Sequence, residues 1–427
     1  MLRRLIFIQF LLILPFTLSC SKGRGNNSDS IMSLGSLYSL DDLSNLAKNS
    51  GKIPTYTTSG SENGLISMGD LTACVVMTSG QIKCWGYNQS FQLGNSSAST
   101  NNQAEPVYVN ILTEKAVAVS AALNHTCAYL ISGMKCWGSQ NNGKLGNRIS
   151  NTSYASMPQD ILNLNSNQIK MMVTGDEHVC VLLSGSQQVF CWGLNDKGQV
   201  AQPFSKTTVI SGINIQIPES VKHIATSDHS MCAITISGNL YCWGSYITTN
   251  ANPNPKLIDS GVKNISSGEK DHFCYISAND FVNCFGRNDK LQLGKMPEDP
   301  EYKLQKNTVQ NLNNVSAIVA GAYHSCAISD NNTSVYCWGD NSKGQLGNDD
   351  LAIDKSSTPI KVVSLPNKKI IDIASSDNVT CVLLESDDVF CWGNNSAPVD
   401  NLGDFLGIKN PPNFSNKAIK ILNRNDL

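Results

Sequence analysis

Several features that mark common functions are missing from this sequence. Neither sign of charge is in excess: 32 Lys and Arg stand against 34 Asp and Glu, and no stretch concentrates basic residues. Such a chain has little electrostatic pull on nucleic acid or on anionic membrane surfaces, so neither is expected as a partner. There is no Cys-x-x-Cys of the kind that opens zinc sites and redox centres, and no haem-binding Cys-x-x-Cys-His. A nucleophile elbow and a phosphate-binding glycine loop are also absent. With no catalytic or metal-ligating set in view, neither enzymatic activity nor a cofactor is expected. Aromatic residues make up only 7% of the chain, which leaves few for a binding face. No long segment has a 3.6-residue apolar period, so helix is a minor element.

What the chain has instead is repetition, and a repeat must be settled before any local reading. A Cys is followed nine to eleven positions later by Cys-aromatic-Gly, seven times over. The pairs are Cys74 and Cys84, Cys127 and Cys136, Cys180 and Cys191, Cys232 and Cys242, Cys274 and Cys284, Cys326 and Cys337, and Cys381 and Cys391. Successive aromatics are 52, 55, 51, 42, 53 and 54 residues apart. All six tryptophans and fourteen of the fifteen cysteines fall in these slots; Phe285 takes the aromatic slot of the fifth unit.

Each unit begins with an alternating apolar run, such as Ile169–Val173 or Ile370–Ile373. A Gly/Ser/Asp turn, a strand holding the first Cys, a tight turn and a strand ending in Cys-Trp-Gly follow. Seven small antiparallel sheets of this kind, none able to bury both faces alone, predict an all-β, seven-bladed β-propeller over residues 63–427. After the seventh Cys-Trp-Gly, Ala418–Leu422 reads as the opening strand of a unit with no body. It is expected to join the first blade and close the ring, where Gly64 stands at a position held by Val117 in the second unit. The variable segments, Asn147–Asn163 and Ala201–Pro218 among them, are rich in Ser, Thr, Asn and Gln and read as loops.

Residues 1–19 have the build of a secretory signal: Arg3 and Arg4, then an apolar Leu5–Leu14 too short to span a membrane, then Ser19 before Cys20. The junction resembles a bacterial lipobox, which makes Cys20 the expected lipidation site, although Thr17 stands where a Leu is usual. Cysteine arithmetic agrees, because seven pairs leave Cys20 over. Residues 20–62 read as a tether rich in Ser, Asn and Gly, with a short helix start at Ser39–Leu43. The expected location is the cell envelope, lipid-anchored to the outer membrane or cell surface.

Two readings of the paired cysteines compete. An exported chain enters an oxidising compartment, and Cys positions facing each other across a hairpin suit a disulfide. Alternatively, His125, His178, His229, His272 and His324, each near a first Cys, could complete zinc sites. The first and seventh units keep both Cys with Thr72 and Val379 in the His slot, which favours disulfides and gives the histidines a structural role in fixing the turn before them. Of the six histidines only His223 lies away from a first Cys, within an expected strand. The tryptophans are read as apolar plugs between blades in preference to a ligand-stacking ring.

The run Gly-x-x-His-x-Cys…Val-Tyr-Cys-Trp-Gly-x-Asn-x-x-Gly-Gln-Leu-Gly in the sixth unit (Gly321–Gly347) resembles the repeat of the regulator of chromosome condensation family. The resemblance covers residues 63–427 and implies a seven-bladed propeller; it is specific for fold and weak for function. Members include nuclear nucleotide-exchange factors, a plant light receptor and a secreted bacterial β-lactamase inhibitor. An export signal and paired cysteines set this chain apart from the nuclear members. The reading is therefore a monomeric, membrane-anchored binding or scaffold propeller that engages a protein through its loop face. The alternatives are a secreted inhibitor of a hydrolase and, more remotely, a nucleotide-exchange regulator.

Overall fold

The computed structural model describes residues 64–426 apart from short segments at 96–99, 152, 163, 165–168, 246–250, 297–301, 351, 396–405 and 409–413. The expected signal, Cys20, tether and helix start lie outside the described residues. The chain is an all-β propeller of seven four-stranded antiparallel sheets, each in sequence order from channel to rim. The first blade is β1 (Ile66–Gly69), β2 (Thr72–Val76), β3 (Ile82–Gly86) and β4 (Gln103–Tyr108). The innermost strands of the other blades are β5 (Ala116–Ala121), β9 (Ile169–Thr174), β13 (Val221–Thr226), β17 (Val262–Gly268), β21 (Ala317–Ala320) and β25 (Ile370–Ser376). Each touches the next, and β25 returns to β1.

The second strand of a blade is its best-covered element. In β10 (His178–Leu183), a run of Val, Cys and Leu, every residue is buried. β-branched and aliphatic residues suit a strand covered on both faces. In all seven blades the two cysteines sit directly opposite each other, with Cα atoms 4.1 Å apart, and are disulfide-bonded. The glycine after each Trp or Phe285 has a φ between 90° and 112°, and the third-to-fourth strand register shifts beside it. A glycine there both allows the bulge and lets the backbone of the preceding turn approach.

Five of the tryptophans tie their blade to the one before it. Their indole N–H groups donate to a carbonyl in the preceding blade's loop: Trp137 to Gln92, Trp192 to Lys144, Trp243 to Gln199, Trp338 to Gln292 and Trp392 to Gln345, all at 2.9–3.0 Å. Those carbonyls belong to the Gln-Leu-Gly loop and its variants. The fourth unit's sequence lacks this motif, and the next unit carries Phe285 in the tryptophan slot, which has no N–H to satisfy and stacks on Phe273 at 5.1 Å. The short 42-residue step and the one missing tryptophan thus have a common cause.

Two expectations are corrected. Ala418–Leu422 belongs to β28 (Phe414–Asn423), which pairs with β27 (Asp388–Asn394) and completes the seventh blade, not the first. The fourth strands are polar and irregular, so the sequence pattern shows only three per unit; the last is unusually apolar and was out of phase. Contacts between two complete blades close the ring instead, including a backbone bond from the Thr78 N–H to the Arg424 carbonyl at 3.2 Å. The Asp372 carboxylate accepts from the N–H groups of Leu65 and Ile66 at 2.7 and 3.2 Å. A Cβ at Gly64 would lie 1.8 Å from that carboxylate, which explains the glycine. Buried Arg424 donates to the Val76 carbonyl at 2.6 Å and to Asp387 at 2.9 Å. Secondly, the segments read as loops contain outer strands, β8 (Tyr154–Asp160) and β12 (Thr208–Ile215).

Candidate functional site

The first strands line a central channel, and the turn that follows each of them forms a ring at one end of it. Counting four residues back from the first Cys, that turn reads Asp70, Leu123, Asp176, Asp228, Lys270, Ala322 and Asp377, with Glu269 added by the extra residue of the fifth unit. Five carboxyl groups therefore collect around one lysine. The recess they enclose, of about 70 Å³, is lined by Asp70, Asp176, Asp228 and Glu269 together with small residues such as Ser67, Ser120 and Ser266.

The groups are close enough to interact strongly. Oxygens of Asp70, Asp176 and Asp228 lie within 4.8 Å of one another. Lys270 Nζ is 3.2 Å from Asp228. Glu269 reaches past the sixth blade to accept hydrogen bonds from Ser376 Oγ and, at 2.9 Å, from the Asp377 N–H. Small Ala322 in the sixth blade leaves it room. Burial, then the charge of a neighbouring carboxylate, pushes Asp70, Asp176 and Asp228 up to about 7, where carboxylates normally titrate near 4. Glu269 is pushed well above its ordinary range by burial and then by Asp70 and Asp228. Burial works against the Lys270 ammonium, but Asp228, Glu269 and Asp70 outweigh it and raise its pKa. Chemically, the mouth can share protons among its carboxyls or receive a cationic group. Among the described residues, Asp70, Asp176 and Asp228 are the one set placed to hold a single cation.

The loop motif holds these turns in place. Within it, Asn341 Oδ1 accepts from the Leu346 N–H at 3.0 Å, and Asn88, Asn195 and Asn288 do the same in their own blades. The Gln slot then reaches the next blade's turn: Gln92 donates to the Leu123 carbonyl at 2.9 Å and Gln345 to Asn378 at 3.0 Å. In the second blade the slot is Lys144. It is fully buried and 2.7 Å from Glu177, beside Asp176.

No histidine or cysteine lines the recess itself, although Thr226 and Ser375, which do, hydrogen-bond to His178 and His324. Each of the fourteen cysteines among the described residues is bonded to its partner, leaving none of them a thiolate for a metal. His178, His272 and His324 pair through Nε2 with Thr226, Ser325 and Thr380 of the following blade, at 2.7–3.0 Å. The bond joins blades, where the sequence suggested one that fixes the preceding turn. The turn glycine makes room for the ring: a Cβ at Gly175 would lie 2.6 Å from His178 Cε1. The residue after the His slot in the third blade is Val179, and His125, which faces that blade, has no hydrogen-bond partner at either ring nitrogen. Sequence reading overlooked the carboxylates because each sits alone in an ordinary turn. The available signal was their recurrence at one repeat slot, since a propeller gathers equal slots into a ring.

On the same face, an apolar strip crosses the first three blades. Tyr154 is 49% exposed, its ring 6.2 Å from that of Phe91. The Arg148 N–H donates to the Ile210 carbonyl at 3.0 Å, setting exposed Ile149 beside exposed Ile210.

Comparison with known proteins agrees with this architecture. Two profiles described as the regulator of chromosome condensation (RCC1) repeat match residues 79–129, 136–182 and 333–383, and residues 65–92, 170–199, 315–345 and 370–397. The ultraviolet-B receptor UVR8 of Arabidopsis thaliana is 28% identical over 349 residues, covering 77% of each chain. The mitochondrial RCC1 domain-containing protein RUG3 of the same plant is 24% identical over 354 residues, 74% of this chain and 77% of that one. Yeast RCC1 (Prp20), in its structure bound to Kap60, superposes with a TM-score of 0.70 at 17% identity, over 95% of this chain and 91% of that one. With the repeat matched in sequence and the seven blades in place, the chain belongs to the regulator of chromosome condensation (RCC1) repeat family.

Proposed function

We propose that this chain is a non-enzymatic binding propeller that works outside the cytoplasm, is held to a membrane through a lipid on Cys20, and engages a protein partner on the face bearing the acidic mouth. The observation that carries the binding reading is the juxtaposition on that face. A strip of exposed Ile149, Tyr154 and Ile210, with half-buried Phe91 against Tyr154, lies beside a channel mouth whose carboxyl groups outnumber its one lysine. Apolar side chains flanked by charge of one sign suit a protein that presents apolar residues together with a basic side chain. Yeast RCC1 (Prp20), similar in fold, is itself seen bound to Kap60.

Seven disulfides support the location, because reducing compartments keep such thiols free. The domain limits follow the same reading: a leader at 1–19, a lipidated Cys20 with its tether to 62, and the propeller from 63. The test is site-specific photo-crosslinking in the native host. A probe replacing Tyr154 is expected to give a discrete protein adduct that Asp176→Asn with Asp228→Asn diminishes. A probe replacing exposed Phe281, in a turn of the opposite face, is expected to give none. Adducts from Phe281 alone, or from neither position, would overturn the reading.

A further inference from the structure

The opposite end of the channel carries the opposite charge. In the third, fourth and fifth blades the first strand starts with a bulge, and the extra residues are Lys170, Lys222 and Lys263. A bulge re-aims its side chain out of the sheet. These strands line the channel, so the three lysines gather at the end roughly 20 Å from the acidic turns, a distance set by the rise of about 3.3 Å per strand residue. The lysines are 52 and 41 residues apart in sequence, which is why no basic cluster was visible there.

They interact with one another. Burial lowers the pKa of Lys222, and the charges of Lys170 and Lys263 lower it further. Lys263 has an exposed partner, Asp280, at 2.7 Å. Among the described residues, no carboxylate lies within ion-pair distance of Lys170 or Lys222. Two polar atoms in the same ring are buried without a partner: Nδ1 of His223, next to Lys222, and Oγ of Ser316, which holds the corresponding slot in the sixth blade. Clustered cations with spare donors are what a multiply charged oxyanion needs to replace its water.

We propose that Lys170, Lys222 and Lys263, with Ser316 and His223, form a binding site for a phosphate group at this end of the channel. The site is separate from the protein-binding face and does not depend on it. The phosphate is either free or the monoester headgroup of a lipid such as phosphatidic acid; both present the same tetrahedral oxyanion.

The full chain is melted with increasing inorganic phosphate at constant ionic strength, alongside the double variant K170Q/K222Q and the surface control K368Q. Phosphate is expected to raise the melting temperature of the parent and of K368Q. K170Q/K222Q, freed of like-charge repulsion, should melt at least as high without phosphate and bind it at least roughly tenfold more weakly. A second arm measures binding to phosphatidylcholine vesicles with and without phosphatidic acid. Binding that needs phosphatidic acid and is lost in K170Q/K222Q, with no response to free phosphate, would assign the headgroup as the source. The proposal is overturned if the parent responds to neither probe, or if the double variant responds as the parent does.

Discussion

Single residues at the channel mouth set a pH dependence whose sign can be worked out. Asp70, Asp176 and Asp228 titrate near 7 when folded, against a usual 3.8. A raised folded pKa gives stability that is complete below pH 4 and is lost as pH rises through 7. The buried histidines act in the opposite sense. His178, His272 and His324 fall from 6.5 to about 3 through burial, so their contribution is present above 6.5 and is lost as pH falls toward 3. The two sets oppose each other between about pH 4 and 6.5, which flattens the profile of the parent chain. Asp70→Asn with Asp176→Asn removes part of one set. The variant should gain melting temperature relative to the parent at pH 8, with a smaller gain or a loss at pH 5. An offset independent of pH would contradict the coupling. None of this was legible beforehand, because a carboxylate in a turn looks solvated until the ring brings its neighbours within 4.8 Å.

At the scale of the blade, the sequence was most informative where the repeat is strict. The Cys slots, the tryptophan slot and the alternating first strand all mark buried positions, and burial is what restricts residue type. The fourth strands were not legible: β8 mixes exposed and half-buried residues without alternation, buries only Ala155 and contains a proline, so its pattern resembles a loop. The indole bonds give a test of how blades are joined. Trp192→Phe keeps the apolar body but leaves the Lys144 carbonyl without its donor, and should cost about 1–3 kcal/mol in urea unfolding. Phe285→Trp should also destabilise, because the fourth unit lacks the Gln-Leu-Gly motif whose preceding-blade carbonyl receives the indole N–H elsewhere. If Phe285→Trp matched the parent, the explanation for the missing tryptophan would fail. Each disulfide closes a loop with a sequence separation of 9 to 11 residues. Cys180→Ala with Cys191→Ala should therefore cost about 2–3 kcal/mol.

For the whole molecule, the seven-fold count and the ring were evident from the spacing, but the manner of closure was not. The seam between the seventh and first blades rests on Asp372 and Arg424, two charged residues that depart from their repeat slots and showed no signal of their own. Buried Arg424 is paired with Asp387, and removing one partner of such a pair is expected to cost about 3 kcal/mol or more. Arg424→Met should accordingly raise hydrogen exchange in β1, β2 and β25 before the blades across the ring. Uniform acceleration would mean that the seam is not a distinct weak point. The central claim is that this is a stapled propeller anchored outside the cytoplasm. Intact mass of the mature protein from its native host, with and without reduction, tests it most directly. The expected result is a chain beginning at Cys20 with a diacylglyceryl addition, gaining about fourteen hydrogens on reduction, two for each of the seven bridges. An uncleaved N-terminus with free thiols would contradict it.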